Sequence, residues 1–301
     1  MPRRRSLRSW FRPPGLAVAA VAGLALFTGP AAADATSDVA ERYVALGDSF
    51  TSGPLVPNQT GEPLLCLRSD HNYPHLAAEA LGAGEFRDVS CGGATTEDMT
   101  EPQSLPLGSE NAPQFDALTE DTTLVTLGIG GNDIGFADIV VTCGTLSVTD
   151  PFGNPCERRF TEQGDELRQR IKDTAPKLAA VLQGIKERAP QAKIVVVGYL
   201  QVLPESKGCW PRVPMAAGDV PYIDGVQQDL NGMLAEQAAA HGAAYLDVLE
   251  RGHDVCAARS DRWVEGIFPT NPAAPVHPNA DGMAAVADRL TALLGEDTDV
   301  R

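Results

Sequence analysis

Apolar residues fall along this chain in two alternating kinds of run. Short, partly β-branched runs at 43–46, 86–89, 124–127, 194–197 and 243–246 are mostly followed by Gly, Asp or Ser, and they predict five buried strands. Between and after them, apolar positions at helical spacing predict helices over 73–81, 134–141, 166–188, 223–241 and 281–294. Strand and helix in turn imply parallel βαβ units and an α/β fold with a doubly wound sheet. Pro- and Gly-rich loops at 53–63, 149–155, 204–221 and 267–278 interrupt the pattern without a compositional break between domains.

The N-terminus departs from this pattern. Arg3, Arg4, Arg5, Arg8 and Arg12 precede an uncharged run, 15–27, and a small-residue stretch ending in Ala31, Ala32 and Ala33. That order predicts a signal peptide over 1–33, because the apolar core is too short to span a bilayer and an A-x-A site follows it. The expected mature chain, 34–301, is a single domain. Arg4 and Arg5 also fit a twin-arginine export signal. The first cysteine is Cys66, so a lipid-anchored lipoprotein is not expected, and nothing later reaches membrane-spanning length.

The whole chain carries 24 basic and 40 acidic residues. Removing the five leader arginines leaves 19 against 40, a net charge of −21. Such acidity argues against nucleic acid or an anionic membrane as a steady partner. The expected protein is a secreted monomer with no stable membrane anchor.

All six cysteines, Cys66, Cys91, Cys143, Cys156, Cys209 and Cys256, follow the leader, and none forms a C-x-x-C pair. In an exported protein an even count reads as disulfides. Sequence alone leaves every pairing open. Nearest-neighbour pairing closes modest loops without crossing the chain, which favours Cys66 with Cys91, Cys143 with Cys156, and Cys209 with Cys256.

In an open parallel sheet, ligands gather outside the carboxyl ends of the strands. After the first predicted strand comes Gly47-Asp48-Ser49-Phe50-Thr51-Ser52-Gly53; after the second, Ser90-Cys91-Gly92-Gly93-Ala94-Thr95; after the third, Gly128-Ile129-Gly130-Gly131-Asn132-Asp133. Val276-His277-Pro278-Asn279 stands just ahead of the last helix. Singly, each block has an ordinary structural explanation: Gly-Asp-Ser as a turn, Asn132 or Asp133 as a helix cap, His before Pro as a loop. Together and in this order they carry the chemistry of acyl transfer. Ser49 is a nucleophile once His277 takes its proton, and the tetrahedral oxyanion needs preorganised donors. Ser49 and Gly93 offer main-chain N–H groups and Asn132 a side-chain amide, while Gly47 relaxes the turn that exposes Ser49. Asp48 reads as structural, and Thr51 and Ser52 as helix-start residues.

On these four blocks the sequence resembles the SGNH hydrolases of the GDSL lipase/esterase group, and most closely their secreted, six-cysteine actinobacterial members. The likeness runs from about 42 to 294. It implies a three-layer α/β/α fold with a five-stranded parallel sheet of flavodoxin-like type. It also implies a Ser49–His277 pair, oxyanion donors at Ser49, Gly93 and Asn132, and three sequential disulfides.

One position departs from the family. Its members usually carry an acid three residues before the histidine, and here that residue is Ala274. The imidazole still needs an acceptor to fix its tautomer, and a main-chain carbonyl can serve. The expected acceptor is the Ala274 carbonyl, with Asp281 or Asp261 as competing acids; Asp281 also reads as the N-cap of the last helix.

The resulting expectation is hydrolysis of a small-molecule or lipid carboxylic ester through an acyl-enzyme on Ser49, with no metal and no organic cofactor. Leu55, Val56, Leu64 and Leu65 tilt the substrate towards fatty acyl chains, and Trp210, Trp263 and Phe268 are candidates for lining the acyl pocket or packing the loops. The alternatives are a carbohydrate O-acetyl esterase and a catalytically inactive extracellular binding protein on the same scaffold.

Overall fold

The computed structural model describes residues 39–296, so the predicted signal peptide over 1–33 and its cleavage after Ala33 lie outside the described residues. Five strands form one parallel sheet: β1 (Arg42–Gly47), β2 (Glu85–Asp88), β3 (Leu124–Gly128), β4 (Lys193–Val197) and β5 (Ala244–Leu246), in the spatial order β2-β1-β3-β4-β5. β1, β3 and β4 are buried almost throughout, as their largely apolar runs require of strands covered on both faces. β2, at one edge, has no fully buried position.

The helices are α1 (Ser49–Ser52), α2 (Tyr73–Leu81), α3 (Phe136–Ser147), α4 (Pro155–Thr161), α5 (Glu166–Arg188), α6 (Asp219–Ala240) and α7 (Ala280–Glu296). α2 packs on α7, and α5 packs on α6. The sheet lies between these two pairs, which gives the three-layer α/β/α architecture expected. Chain order reverses between β1 and β3, where the crossover from β1 runs one way and those from β3 and β4 the other. That reversal is where doubly wound sheets open a crevice for ligands. The nucleophile turn follows β1 and the Gly-Gly-Asn-Asp turn follows β3, so both flank it.

Element boundaries differ from the sequence expectation in three informative places. α3 starts at Phe136 rather than 134, because Gly135 adopts the left-handed conformation (φ 75°, ψ 41°) that precedes the helix. α6 starts four residues early, at Asp219, and takes Pro221 into its first turn, where a missing N–H breaks no helical bond. α4 was unexpected: Pro155 occupies its first turn, and the Asp219 carboxylate accepts the Cys156 and Glu157 N–H groups at 3.0 and 2.9 Å. No local pattern in 155–161 announces a cap supplied from more than sixty residues away.

The three disulfides are those favoured: Cys66–Cys91, Cys143–Cys156 and Cys209–Cys256. The first ties the exit of β2 to the loop before α2. The second joins α3 to α4. The third links the loop before α6 to the loop after β5.

Candidate active site

Local chemistry shapes the turn after β1. Gly47 sits at φ 154°, and a Cβ there would fall 2.2 Å from Thr51 Oγ1, so no larger residue fits. Buried Gln114 clamps it from both sides, accepting its N–H at 2.8 Å and donating to its carbonyl at 2.9 Å. Asp48 then caps α1, with Oδ1 accepting from the Phe50 N–H at 2.8 Å. The result places Ser49 at the first position of a helix, where its own N–H has no helical acceptor.

His277 arrives from the opposite end of the chain. Its Nε2 lies 2.8 Å from Ser49 Oγ, and its Nδ1 lies 2.8 Å from a main-chain carbonyl. That carbonyl belongs to Pro275, not Ala274. The 274–277 turn is closed by the His277 N–H donating to the Ala274 carbonyl at 3.2 Å, so that oxygen is engaged by main chain while the next one meets the ring. The competing acids take no part: the Asp261 carboxylate accepts from Ser260, and Asp281 lies within the first turn of α7. The cap of α7 is instead Asn279, whose Oδ1 accepts the Gly282 N–H at 3.0 Å.

The histidine loop hangs on Glu265, which is fully buried. Its N–H donates to the His277 carbonyl at 2.9 Å, and its carbonyl accepts from the Val276 N–H at 3.1 Å. Its carboxylate accepts from Thr270, Asn271, Asn279 and Arg262 at 2.8 to 3.2 Å. Burial alone would raise this carboxyl, but the donors overcome it and hold the group down to about 2. Val276, in the left-handed region at φ 62°, is thereby held in a conformation a β-branched residue avoids. Sequence reading missed Glu265, since a lone Glu in a loop gives no signal of burial.

Asn132 leaves β3 and donates from Nδ2 to the Ala94 carbonyl at 2.8 Å, which leaves the second amide hydrogen free to point elsewhere. Gly93 stands beside that acceptor. Asp133 does not cap a helix; its carboxylate accepts from the Thr96 N–H at 3.0 Å and from the Thr96 hydroxyl at 2.5 Å. Among the described residues, neither the Ser49 nor the Gly93 N–H has a protein acceptor.

Ser49, Asn132 and His277 line a cavity of about 280 Å³. Gly93 is not among its lining residues. The rest of the wall is mostly apolar and comes from α3 (Phe136, Ile139, Val140) and α6 (Ile223, Val226, Leu230). A further void of about 30 Å³ lies against the same face of α3. Trp210, Trp263 and Phe268 do not line this cavity, and neither do Leu55, Val56, Leu64 or Leu65. Trp263 instead stacks on His253 with ring centroids 3.8 Å apart.

Burial lowers His277 below its ordinary value, opposed by the bond to the Pro275 carbonyl. The resting imidazole is therefore neutral near pH 7 and able to accept the serine proton. Burial raises Asp48 to about 7, against the hydrogen bonds from Tyr199 and the Phe50 N–H. No cluster of three metal-ligating side chains occurs among the described residues.

A half-buried serine and a neutral histidine in contact, beside an amide with one unused hydrogen and a mostly apolar cavity, form an arrangement for acyl transfer. Known proteins are similar to this chain over most of its length. The profile of the GDSL-like Lipase/Acylhydrolase family matches residues 45–285. Lipase 2 of Streptomyces coelicolor is 40% identical over 294 residues, spanning 93% of this chain and 96% of its own. The chain belongs to the GDSL-like lipase/acylhydrolase family. The crystal structure of phospholipase A1 from Streptomyces albidoflavus superposes on this GDSL hydrolase at TM-score 0.68 with 30% identity, over 83% of this chain and 98% of that one. The extracellular lipase of Streptomyces rimosus does so at TM-score 0.68 with 29% identity, over the same shares. As a member of this family the protein is a carboxylic ester hydrolase. Among the described residues of this GDSL hydrolase, no helix is long and apolar enough to cross a membrane.

Proposed function

We propose that this enzyme is an extracellular serine esterase acting on fatty acyl esters through an acyl-enzyme on Ser49. The observation that carries this reading is the 2.8 Å contact between Ser49 Oγ and His277 Nε2 in the wall of a mostly apolar cavity. His277 takes the serine proton as Oγ attacks the ester carbonyl, and the Pro275 carbonyl holds Nδ1–H so that Nε2 is the basic nitrogen. The oxyanion is met by the Ser49 and Gly93 N–H groups and the free Asn132 amide hydrogen. His277 then returns the proton to the departing alcohol, and the same cycle with water releases the acid. A neutral carbonyl in place of a carboxylate still fixes tautomer and ring orientation, but adds no charge to stabilise the imidazolium.

The substrate class rests on the cavity wall, where α3 and α6 present aliphatic side chains to the space beyond Ser49. Relatives of this chain are named lipase, phospholipase A1 and esterase, which agrees with such a substrate. Secretion rests on the leader pattern over 1–33 and the three disulfides, which persist in oxidising surroundings. The mature enzyme is then a single domain, 34–301.

Turnover of p-nitrophenyl esters of rising chain length by the mature protein and by Ser49→Ala tests the reading. The variant is expected to lose all detectable turnover, and the wild-type optimum to lie beyond the acetyl ester. Persisting activity in Ser49→Ala would sink the serine mechanism, and an optimum at acetate would make the enzyme an O-acetyl esterase.

A further inference from the structure

The geometry points to Tyr199 as a positioning residue of the hydrolytic site: its buried hydroxyl bridges the turn carrying Ser49 to the turn carrying Asn132. This rests on the assignment of Ser49 as nucleophile and Asn132 as oxyanion donor. Tyr199 stands two residues past β4 and is only 5% exposed. Its Oη accepts from the Gly131 N–H at 2.7 Å and donates to Asp48 Oδ2 at 2.6 Å. Asp48 precedes the nucleophile and Gly131 precedes the oxyanion amide, so one phenol oxygen sits one residue from each.

The main chains of β1 and β3 stop supporting each other just below this point. Their last shared hydrogen bond runs from the Asp48 N–H to the Gly128 carbonyl at 2.9 Å. Beyond it the Tyr199 hydroxyl links the two turns. Gly131 is built to allow this. A Cβ there would lie 3.0 Å from Tyr199 Oη and 3.1 Å from its Cζ, so a side chain would push the phenol away. The second glycine of Gly-Gly-Asn-Asp thereby has a physical reason that its own backbone does not supply.

Tyr199 is in turn fixed from α6. Its N–H donates to Asn231 Oδ1 and its carbonyl accepts from Asn231 Nδ2, both at 2.9 Å. Its ring meets Phe50 edge-on with centroids 5.2 Å apart, and Phe50 lies 5.4 Å from the His277 imidazole. Support of this kind determines whether a donor stands where the oxyanion forms, and misplacement is felt in the transition state more than in substrate binding.

Tyr199→Phe keeps the ring that walls the cavity and removes only the bridge. The expected result is a fall in kcat of about tenfold to a hundredfold with KM for the same p-nitrophenyl ester little changed. The deciding measurement is the cycle with Asn132→Ala. If the hydroxyl acts by placing that amide, Tyr199→Phe costs little more once the amide is gone. An equal loss of kcat in both backgrounds, or an unchanged kcat with a lowered Tm, would overturn the proposal and leave the hydroxyl a purely structural bond. If Tyr199→Phe does not fold, Asp48→Asn in the same cycle reports on the other end of the bridge by the same criterion. Retained turnover in Ser49→Ala would instead reject the assignment of the site, independently of Tyr199.

Discussion

His277 illustrates how a single residue's surroundings set its chemistry. Burial disfavours the imidazolium, and its Nδ1 partner is the neutral Pro275 carbonyl rather than an anion that would favour charge. In the proposed mechanism the working form is the free base, so a depressed pKa extends activity towards acid. The acid limb of the kcat/KM profile is therefore expected below the ordinary histidine value of 6.5; a midpoint above it would contradict a carbonyl-held base. Asp48 titrates close to neutrality for the same cause, burial, but with the opposite sign, because there the charged form is the base. At this scale Ser49, Asn132 and His277, which four short blocks of sequence singled out, line one cavity. The histidine's acceptor was not legible in those blocks, because choosing between Ala274 and Pro275 depends on which carbonyl the 274–277 turn leaves free.

α3 and α6 together make most of the apolar wall of the cavity. On α6, Ile223, Val226 and Leu230 share one face at helical spacing, and read as sequence they look like any core-facing stripe. Whether such a stripe meets another helix or a void is not written in its own periodicity. Narrowing the void shows which it is. Val226→Phe, a buried position on the wall, is expected to leave acetyl ester turnover nearly intact while long-chain esters lose about tenfold or more per excluded methylene. Uniform loss across all chain lengths would place Val226 in ordinary packing. The loop leucines that suggested lipid from sequence lie elsewhere: Leu55 and Leu64 are 51% and 58% exposed and outside the cavity.

Among the described residues, the three disulfides join loops and helices while leaving the sheet itself uncrossed. Cys66–Cys91 and Cys143–Cys156 are buried, whereas Cys209 and Cys256 are only partly so, which leaves the last bridge the most accessible to a thiolate. It closes a 47-residue separation, and its loss is expected to remove about 4 kcal/mol of unfolded-state restriction. Mild reductant should therefore lower esterase activity before far-UV circular dichroism changes; simultaneous loss of both signals would show that the sheet depends on the bridge. The sequence by itself determined the α/β alternation, the five strands of the main sheet, and the side-chain types at the proposed site, and it favoured without fixing the cysteine pairing. These follow from periodicity, chain connectivity and side-chain chemistry, all of which are local. Only the tertiary structure decided the Pro275 acceptor, the buried Glu265 that holds the histidine loop, the Asp219 cap of α4, the helical walls of the cavity and the Tyr199 bridge. Each of these joins residues distant in the chain or depends on what burial leaves free, and neither is encoded in the spacing of neighbours.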